Sequence, residues 1–319
     1  MSAPQAAAPQ KIIIDTDPGI DDAVAILLAL ASPEIEVLGI VAVGGNVSIE
    51  STQANARKIC ELAGRLDIGV FAGSARSLGS DQPIDENCHG VAGLGTVSLP
   101  EPTMPLGAQH GVDFIVDTVM QSEPGSITIC ALGPLTNLAL ALLREPLLFG
   151  RIGRIVFMGG SVFRGGNVTA VAEFNIHQDP IAADIVFRSG IPLVMVPLDV
   201  THKTLVNADT LARFATMRSR TGQALASMLD FYERFDRDKY GAEGGPLHDP
   251  NVIAYLLRPQ LYRGQDRHLA AETKSALTMG MTVVDWWKSQ SLPANAHVLT
   301  DVDGPAFFTL LLERIGRLK

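Results

Sequence analysis

Four aspartates lie within eight residues near the start of the chain, in the segment "IIIDTDPGIDDAVAILLAL". They are Asp15, Asp17, Asp21 and Asp22, and apolar runs stand on both sides of them. Like charges so close together repel one another, and their burial is costly unless a cation lies among them. Clustered carboxylate oxygens suit the hard cations Ca²⁺ and Mg²⁺, and Ca²⁺ is favoured if backbone carbonyls add further ligands. The alternative is that Asp21 only caps a helix and Asp15 only ends a strand.

The apolar pattern predicts the elements that would position these aspartates. The β-branched run from Lys11 to Thr16 indicates a buried strand closed by Asp-Pro-Gly, and residues 21–31 indicate a helix with Asp near its positive end. Similar strands and helices alternate along the chain, and the strands are continuously apolar. That pattern predicts an α/β fold with a mostly parallel, Rossmann-like sheet flanked by helices. A polar helical stretch, 207–257, is expected as an added segment near the active site.

Other unusual residues follow the predicted strands, and in an open parallel sheet ligands bind beyond the strands' carboxyl ends. We expect these residues to gather around the acidic turn: Asn46 after two glycines, "LGPLTN" at 132–137, Met158 before two glycines, "NVTAVAEFN" at 167–175, and His248-Asp249.

Composition limits the function. The 319 residues are 47% hydrophobic and 18% charged, with a net charge of −9 and no Lys/Arg cluster, so a nucleic-acid-binding surface is not expected. The longest apolar run is too short to cross a bilayer, which takes about 20 residues, so no membrane partner is expected. Three widely spaced cysteines and a start without a secretory pattern favour a cytoplasmic protein. We expect residues 1–10 to be a disordered tail and 11–319 to form a single domain.

Together these motifs resemble the inosine–uridine-preferring nucleoside hydrolases. The resemblance is carried, in the family's order, by "DTDPGIDDA", "GGN", "LGPLTN", "MGG" with "AEFN", "HDP" at 248–250 and "GMTVVD" at 280–285. It implies hydrolysis of the N-glycosidic bond of ribonucleosides, which gives ribose and a free base, with a bound Ca²⁺. It implies side-chain calcium ligands at Asp17, Asp22 and Asp249 and a backbone carbonyl ligand at Leu132.

The resemblance also implies a set of substrate-binding residues. Those facing the ribose would be Asp21, Asn46, Met158, Asn167, Glu173 and Asn175. We place Asp15 behind the ligands, where it would orient them. His89 and Tyr240 are candidates to contact the base.

The implied chemistry agrees with the residue types. Asp17 can take a proton from a metal-activated water as general base, and the surrounding carboxylates can stabilise an oxocarbenium-like ribose. His248, next to Asp249, can give the leaving base a proton or a hydrogen bond.

Two other functions remain open from the sequence. One is a nucleoside- or sugar-binding protein that has lost turnover. The other is a Mg²⁺-dependent phosphohydrolase, because some of these begin with Asp-x-Asp after a first strand. The strand ends here carry Gly, Asn and Glu, which suit sugar hydroxyls better than phosphate. A slight preference for pyrimidine nucleosides is expected, and the resemblance implies a homodimer or homotetramer.

Overall fold

The computed structural model describes residues 8–79, 86–240 and 244–318. Its strands are β1 Gln10–Thr16, β2 Ile35–Ala42, β3 Val70–Ala72, β4 Ile127–Ala131, β5 Ile152–Met158, β6 Leu193–Val196, β7 Leu205–Val206, β8 Gly245–Pro246, β9 Tyr262–Arg267, β10 Leu269–Ala271, β11 Thr282–Val284 and β12 Ala296–Val302. Strand β1 begins at Gln10, one residue inside the segment expected to be a tail.

The helices are α1 Ile20–Leu30, α2 Ile49–Leu62, α3 Glu86–His89, α4 Gly111–Gln121, α5 Thr136–Arg144, α6 Phe174–Gln178, α7 Pro180–Phe187, α8 Leu198–Thr201, α9 Ala208–Ala215, α10 Arg220–Tyr240, α11 Pro250–Leu257 and α12 Gly304–Ile315. Short 3₁₀ turns span Pro146–Gly150 and Pro259–Leu261. None of the helices in the described ranges is both long enough and apolar enough to span a bilayer.

A mostly parallel sheet of eight strands forms the centre of the molecule. Its order is β3-β2-β1-β4-β5-β6-β12-β9, and every neighbouring pair is parallel except β12 with β9. This confirms the predicted α/β fold. Strand β9 was not predicted, because its sequence "YRGQDR" is polar and largely exposed, as an edge strand permits.

Both faces of the sheet are covered, which explains the continuous apolar strands. In β1, Ile12 and Ile14 pack into the core on the side of α1, α2 and α11, whereas Ile13 packs on the opposite side with α4, α5 and α7. Successive strand residues point to opposite faces, so a strand buried on both faces must be apolar throughout.

The connectivity decides where a ligand can bind. Strand β1 lies between β2 and β4, so the chain winds in opposite directions from this point of the sheet. The resulting crevice at the strands' carboxyl ends is the usual ligand site of such folds. The expected helical addition is confirmed as α9, α10 and α11, and α11 packs directly on α1.

Candidate active site

The turn from β1 into α1 brings the first carboxylates together. Asp22 accepts hydrogen bonds from the Gly19 backbone N–H at 2.9 Å and from the Thr16 hydroxyl. These bonds close the turn and hold a carboxylate in the first turn of α1, where the helix dipole favours negative charge.

Asp17 lies in a space that two glycines leave open. Its Oδ2 accepts a hydrogen bond from the Asn46 N–H at 2.7 Å, and a Cβ atom at Gly45 would come within 2.1 Å of the same oxygen. On the other side, a Cβ at Gly133 would lie 2.4 Å from Asp17 Oδ1. Glycine is therefore required on both sides, for space around the carboxylate.

A late segment of the chain completes the acidic cluster, which comprises Asp21, Asp22 and Asp249. Each residue offers a carboxylate oxygen within 4.8 Å of the others, and all three are buried. Of the ligands implied by the resemblance, the structure thus brings Asp22 and Asp249 together. Asp21, implied to bind ribose, belongs to this group, whereas Asp17 does not.

Little positive charge adjoins the cluster in the part of the chain that the structure describes. Among the described residues, no Lys or Arg nitrogen lies within 4.0 Å of its carboxylates; only His89 Nδ1 reaches that distance from Asp21. Burial raises the pKa of Asp21 to about 6, although the backbone N–H groups of His248 and Asp249 oppose the rise. Burial and the neighbouring aspartates raise the pKa of Asp249 well above its usual value. Such a site stabilises a bound cation.

The pKa of Asp17 is also raised well above its usual value, by burial and then by the charge of Asp22. The charge of the cluster therefore acts on Asp17, although Asp17 is not one of the three clustered residues. Behind it, Asp15 Oδ1 accepts a hydrogen bond from Asn137 Nδ2 at 2.7 Å, and burial raises the Asp15 pKa to about 7.

The segment after β5 supplies a second polar wall. Glu173 is buried, and its carboxylate accepts hydrogen bonds from the N–H groups of Gly160 at 2.9 Å and Asn175 at 3.0 Å. Burial raises the Glu173 pKa to about 7. The Asn175 amide donates to the carbonyl of Leu132 at 2.6 Å and to that of Met158 at 3.2 Å. The carboxyl ends of β4 and β5 are thus joined through one side chain.

Asn167 lies next to the segment 173–175 but on the outer side of it. Its side chain is exposed, and its Oδ1 accepts a hydrogen bond from the Phe174 N–H at 3.0 Å. In this structure the Asn167 side chain therefore holds the backbone between Glu173 and Asn175 and is itself exposed.

The two candidate histidines adjoin the cluster from different elements. His89 Nδ1 accepts a hydrogen bond from the Ile20 N–H at 3.1 Å, and its ring stacks on Tyr232 of α10 with centroids 5.6 Å apart. His248 Nδ1 lies 2.8 Å from the Thr201 hydroxyl, and burial holds the His248 pKa well below its usual value. The side chain of Tyr240 lies outside the described residues.

Sequence reasoning missed the partners that orient these groups. Asn137 ends the "LGPLTN" motif, so the sequence singled out its position but did not indicate its hydrogen bond to Asp15. Thr201, at the end of α8, had no local signal, because its partner His248 is 47 residues away. The two are brought together by the segments that follow α8 and precede α11, since the Leu247 N–H donates to the Thr204 carbonyl at 3.0 Å.

Comparisons with known proteins identify the family of the chain. Residues 12–309 match the family model described as "Inosine-uridine preferring nucleoside hydrolase". The chain is 49% identical to an uncharacterized protein of Schizosaccharomyces pombe, over 97% of this chain and 99% of that protein. It is 44% identical to the pyrimidine-specific ribonucleoside hydrolase RihA of Citrobacter koseri, over 96% and 97% of the two chains.

A solved structure has the same fold. The purine-preferring ribonucleoside hydrolase from Gardnerella vaginalis superposes with a TM-score of 0.91 at 36% identity, over 97% of this chain and 98% of the other. The chain therefore belongs to the inosine-uridine preferring nucleoside hydrolase family and is an enzyme that hydrolyses the N-glycosyl bond of nucleosides.

Proposed function

We propose that this enzyme is a calcium-dependent ribonucleoside hydrolase that releases ribose and a free base, with a preference for pyrimidine nucleosides. The observation that carries the metal requirement is the buried cluster of Asp21, Asp22 and Asp249, whose oxygens lie within 4.8 Å of one another. The base preference is supported by the 44% identity to a pyrimidine-specific relative, against 36% to a purine-preferring one.

The donor set fits calcium. Its side-chain oxygens are carboxylates, which suit a hard cation, and it contains neither thiolate nor imidazole, which zinc prefers. The residues that would hold the ion are Asp22 and Asp249, with Asp17 and the Leu132 carbonyl as the further ligands implied by the family, and Asp21 next to them. Bound calcium would supply coordination of two ribose hydroxyls and of a water molecule, and it would make that water more acidic.

The chain's own residues would then carry the reaction. We assign Asp17 as the general base, because its Oδ2 is held by the Asn46 N–H while Oδ1 faces the end of β4. Glu173, Asn175, Asn46 and Met158 would hold the ribose. As the glycosidic bond breaks, the ribose becomes cationic, and the buried carboxylates stabilise it electrostatically.

His248 is placed to assist departure of the base. We assign the tautomer in which the Thr201 hydroxyl donates to Nδ1, so that Nε2 carries the proton and can donate to the leaving base. The Nδ1 of His89 accepts from the Ile20 N–H, which holds this ring beside the acidic turn. The His248 ring would therefore be the one that presents an N–H to an acceptor atom of the base.

The test is initial rates of ribose release from uridine, cytidine, inosine and adenosine, with calcium present, for the wild type, Asp17→Asn and Asp117→Asn. Asp117 lies exposed on α4 and serves as the matched control. We expect uridine and cytidine to be preferred, and Asp17→Asn to lower kcat at least about a hundredfold. A wild type that binds calcium by calorimetry but releases no ribose from any of the four would contradict the proposal and would indicate a nucleoside-binding protein.

Two further properties complete the proposal. A homodimer or homotetramer is supported by large apolar side chains on the surface, such as Trp287 at 86% and Leu277 at 87% exposure, and light scattering would test it. A cytoplasmic location is supported by Cys60 and Cys130, which are buried thiols outside any disulfide, as is usual in reducing compartments.

A further inference from the structure

A buried amide on α2 joins two segments that border the site. Asn55 is 3% exposed, and its Nδ2 donates to the Pro18 carbonyl at 3.1 Å and to the Ala92 carbonyl at 2.8 Å. Pro18 lies in the turn that carries the acidic cluster, and Ala92 lies in the segment 89–95 that carries His89. An amide NH₂ has two donors, and here each serves a different segment.

Segment 89–95 is folded on itself. The N–H of Gly93 donates to the Gly90 carbonyl at 2.9 Å, and that of Gly95 donates to the His89 carbonyl at 2.8 Å. Gly90, Gly93 and Gly95 have φ of +73°, +84° and +62°, which only glycine adopts without strain. The segment therefore behaves as a compact unit. A change in the contact at Ala92 should displace His89 as well.

The unit fits tightly against the acidic turn. A Cβ atom at Gly93 would lie 2.7 Å from Asn55 Nδ2 and 3.1 Å from the Pro18 carbonyl oxygen. At its other end, the unit is held by the bond from the Ile20 N–H to His89 Nδ1. Two attachments to one turn fix the distance of 4.0 Å between His89 Nδ1 and Asp21 Oδ1.

We propose that Asn55 is a positioning residue for hydrolysis: its amide sets the place of the His89 ring relative to the carboxylates. The inference rests on the proposed role of His89 at the base. Misplacement of an otherwise intact group by about 1 Å can cost up to a hundredfold in rate, so loss of the amide should be visible in kinetics. Because Asn55 contacts none of the aspartates of the cluster, its loss should leave calcium binding unchanged.

The experiment is a double-mutant cycle. We expect Asn55→Leu, which has a similar volume and no donor, to lower kcat/KM for uridine about tenfold or more, and to change it less than about twofold in a His89→Ala background. The dissociation constant for calcium, measured by calorimetry, should be the same in the wild type and in Asn55→Leu.

Gly93→Ala disrupts the same contact from the opposite side and should give the same pattern, which keeps the test valid if Asn55→Leu does not fold. Its matched control is Gly64→Ala, because Gly64 has φ +70° but no atom near the added methyl. Equal losses in both backgrounds would overturn the inference, as would a His89→Ala variant with unchanged kcat/KM. Absence of hydrolysis by the wild type would instead overturn the proposed function.

Discussion

Asp15 gives a quantitative prediction about stability. One of its oxygens accepts from Asn137, and the other has no hydrogen-bond partner among the described residues. Burial raises its pKa from 3.8 to about 7, so the folded protein keeps a proton that the unfolded chain has lost. We predict that Asp15→Asn removes the contribution of this one carboxyl to the pH dependence of the stability of the metal-free protein, and leaves the contributions of the other buried carboxyls in place.

The magnitude follows from the two pKa values. Stability from a group with a raised pKa is complete below the unfolded pKa of 3.8 and is lost as pH rises through about 7. The whole loss is about 4 kcal/mol at roughly 1.4 kcal/mol per pH unit, of which about 2.5 kcal/mol falls between about pH 5 and about pH 8. Asparagine keeps the acceptor for Asn137 but adds an amide donor, which costs about 1–3 kcal/mol if it finds no partner.

Asp15→Asn should therefore be near neutral at about pH 5 and should raise the free energy of unfolding by about 1–3 kcal/mol at about pH 8. The assay is urea unfolding in the presence of a chelator at both pH values, for the wild type, Asp15→Asn and the exposed control Asp117→Asn. If the wild type and Asp15→Asn lose the same free energy between the two pH values, burial has not shifted the Asp15 pKa, and the reasoning fails.

Three further predictions concern activity. Gly133→Ala should lower kcat/KM at least about tenfold by displacing Asp17, whereas Gly150→Ala, where an added methyl meets no atom, should not; equal kinetics for the two variants would contradict the crowding seen here. Thr201→Val should lower kcat about tenfold with little change in KM, because it removes the hydroxyl that orients His248; an unchanged kcat would exclude that role. Chelation should abolish ribose release, and added calcium should restore it and raise Tm most at alkaline pH, where the acidic cluster is charged; activity that survives exhaustive dialysis against a chelator would refute a metal requirement.

Much of the fold was readable from local patterns. The three successive isoleucines at 12–14 indicated a strand buried on both faces, because they leave neither face of the strand polar. Asp-Pro-Gly after it fixed the turn, and the order of strands and helices indicated a parallel sheet. Strand β9 escaped prediction since an edge strand pairs through its backbone and needs no apolar pattern.

The amino-acid sequence by itself indicated the turn that carries the aspartates and the cation that such a group of carboxylates suits. Through the motif order it also indicated that the "HDP" segment lies beside that turn. The tertiary structure decided which carboxylates meet: Asp21 joins Asp22 and Asp249, while Asp17 faces two glycines and Asn167 remains at the surface. It also decided which buried amides and hydroxyls hold the site, such as Asn55 and Thr201. The physical reason is that charge and hydropathy are properties of the residues themselves, whereas hydrogen-bond partners far apart in the chain are chosen only when the elements pack.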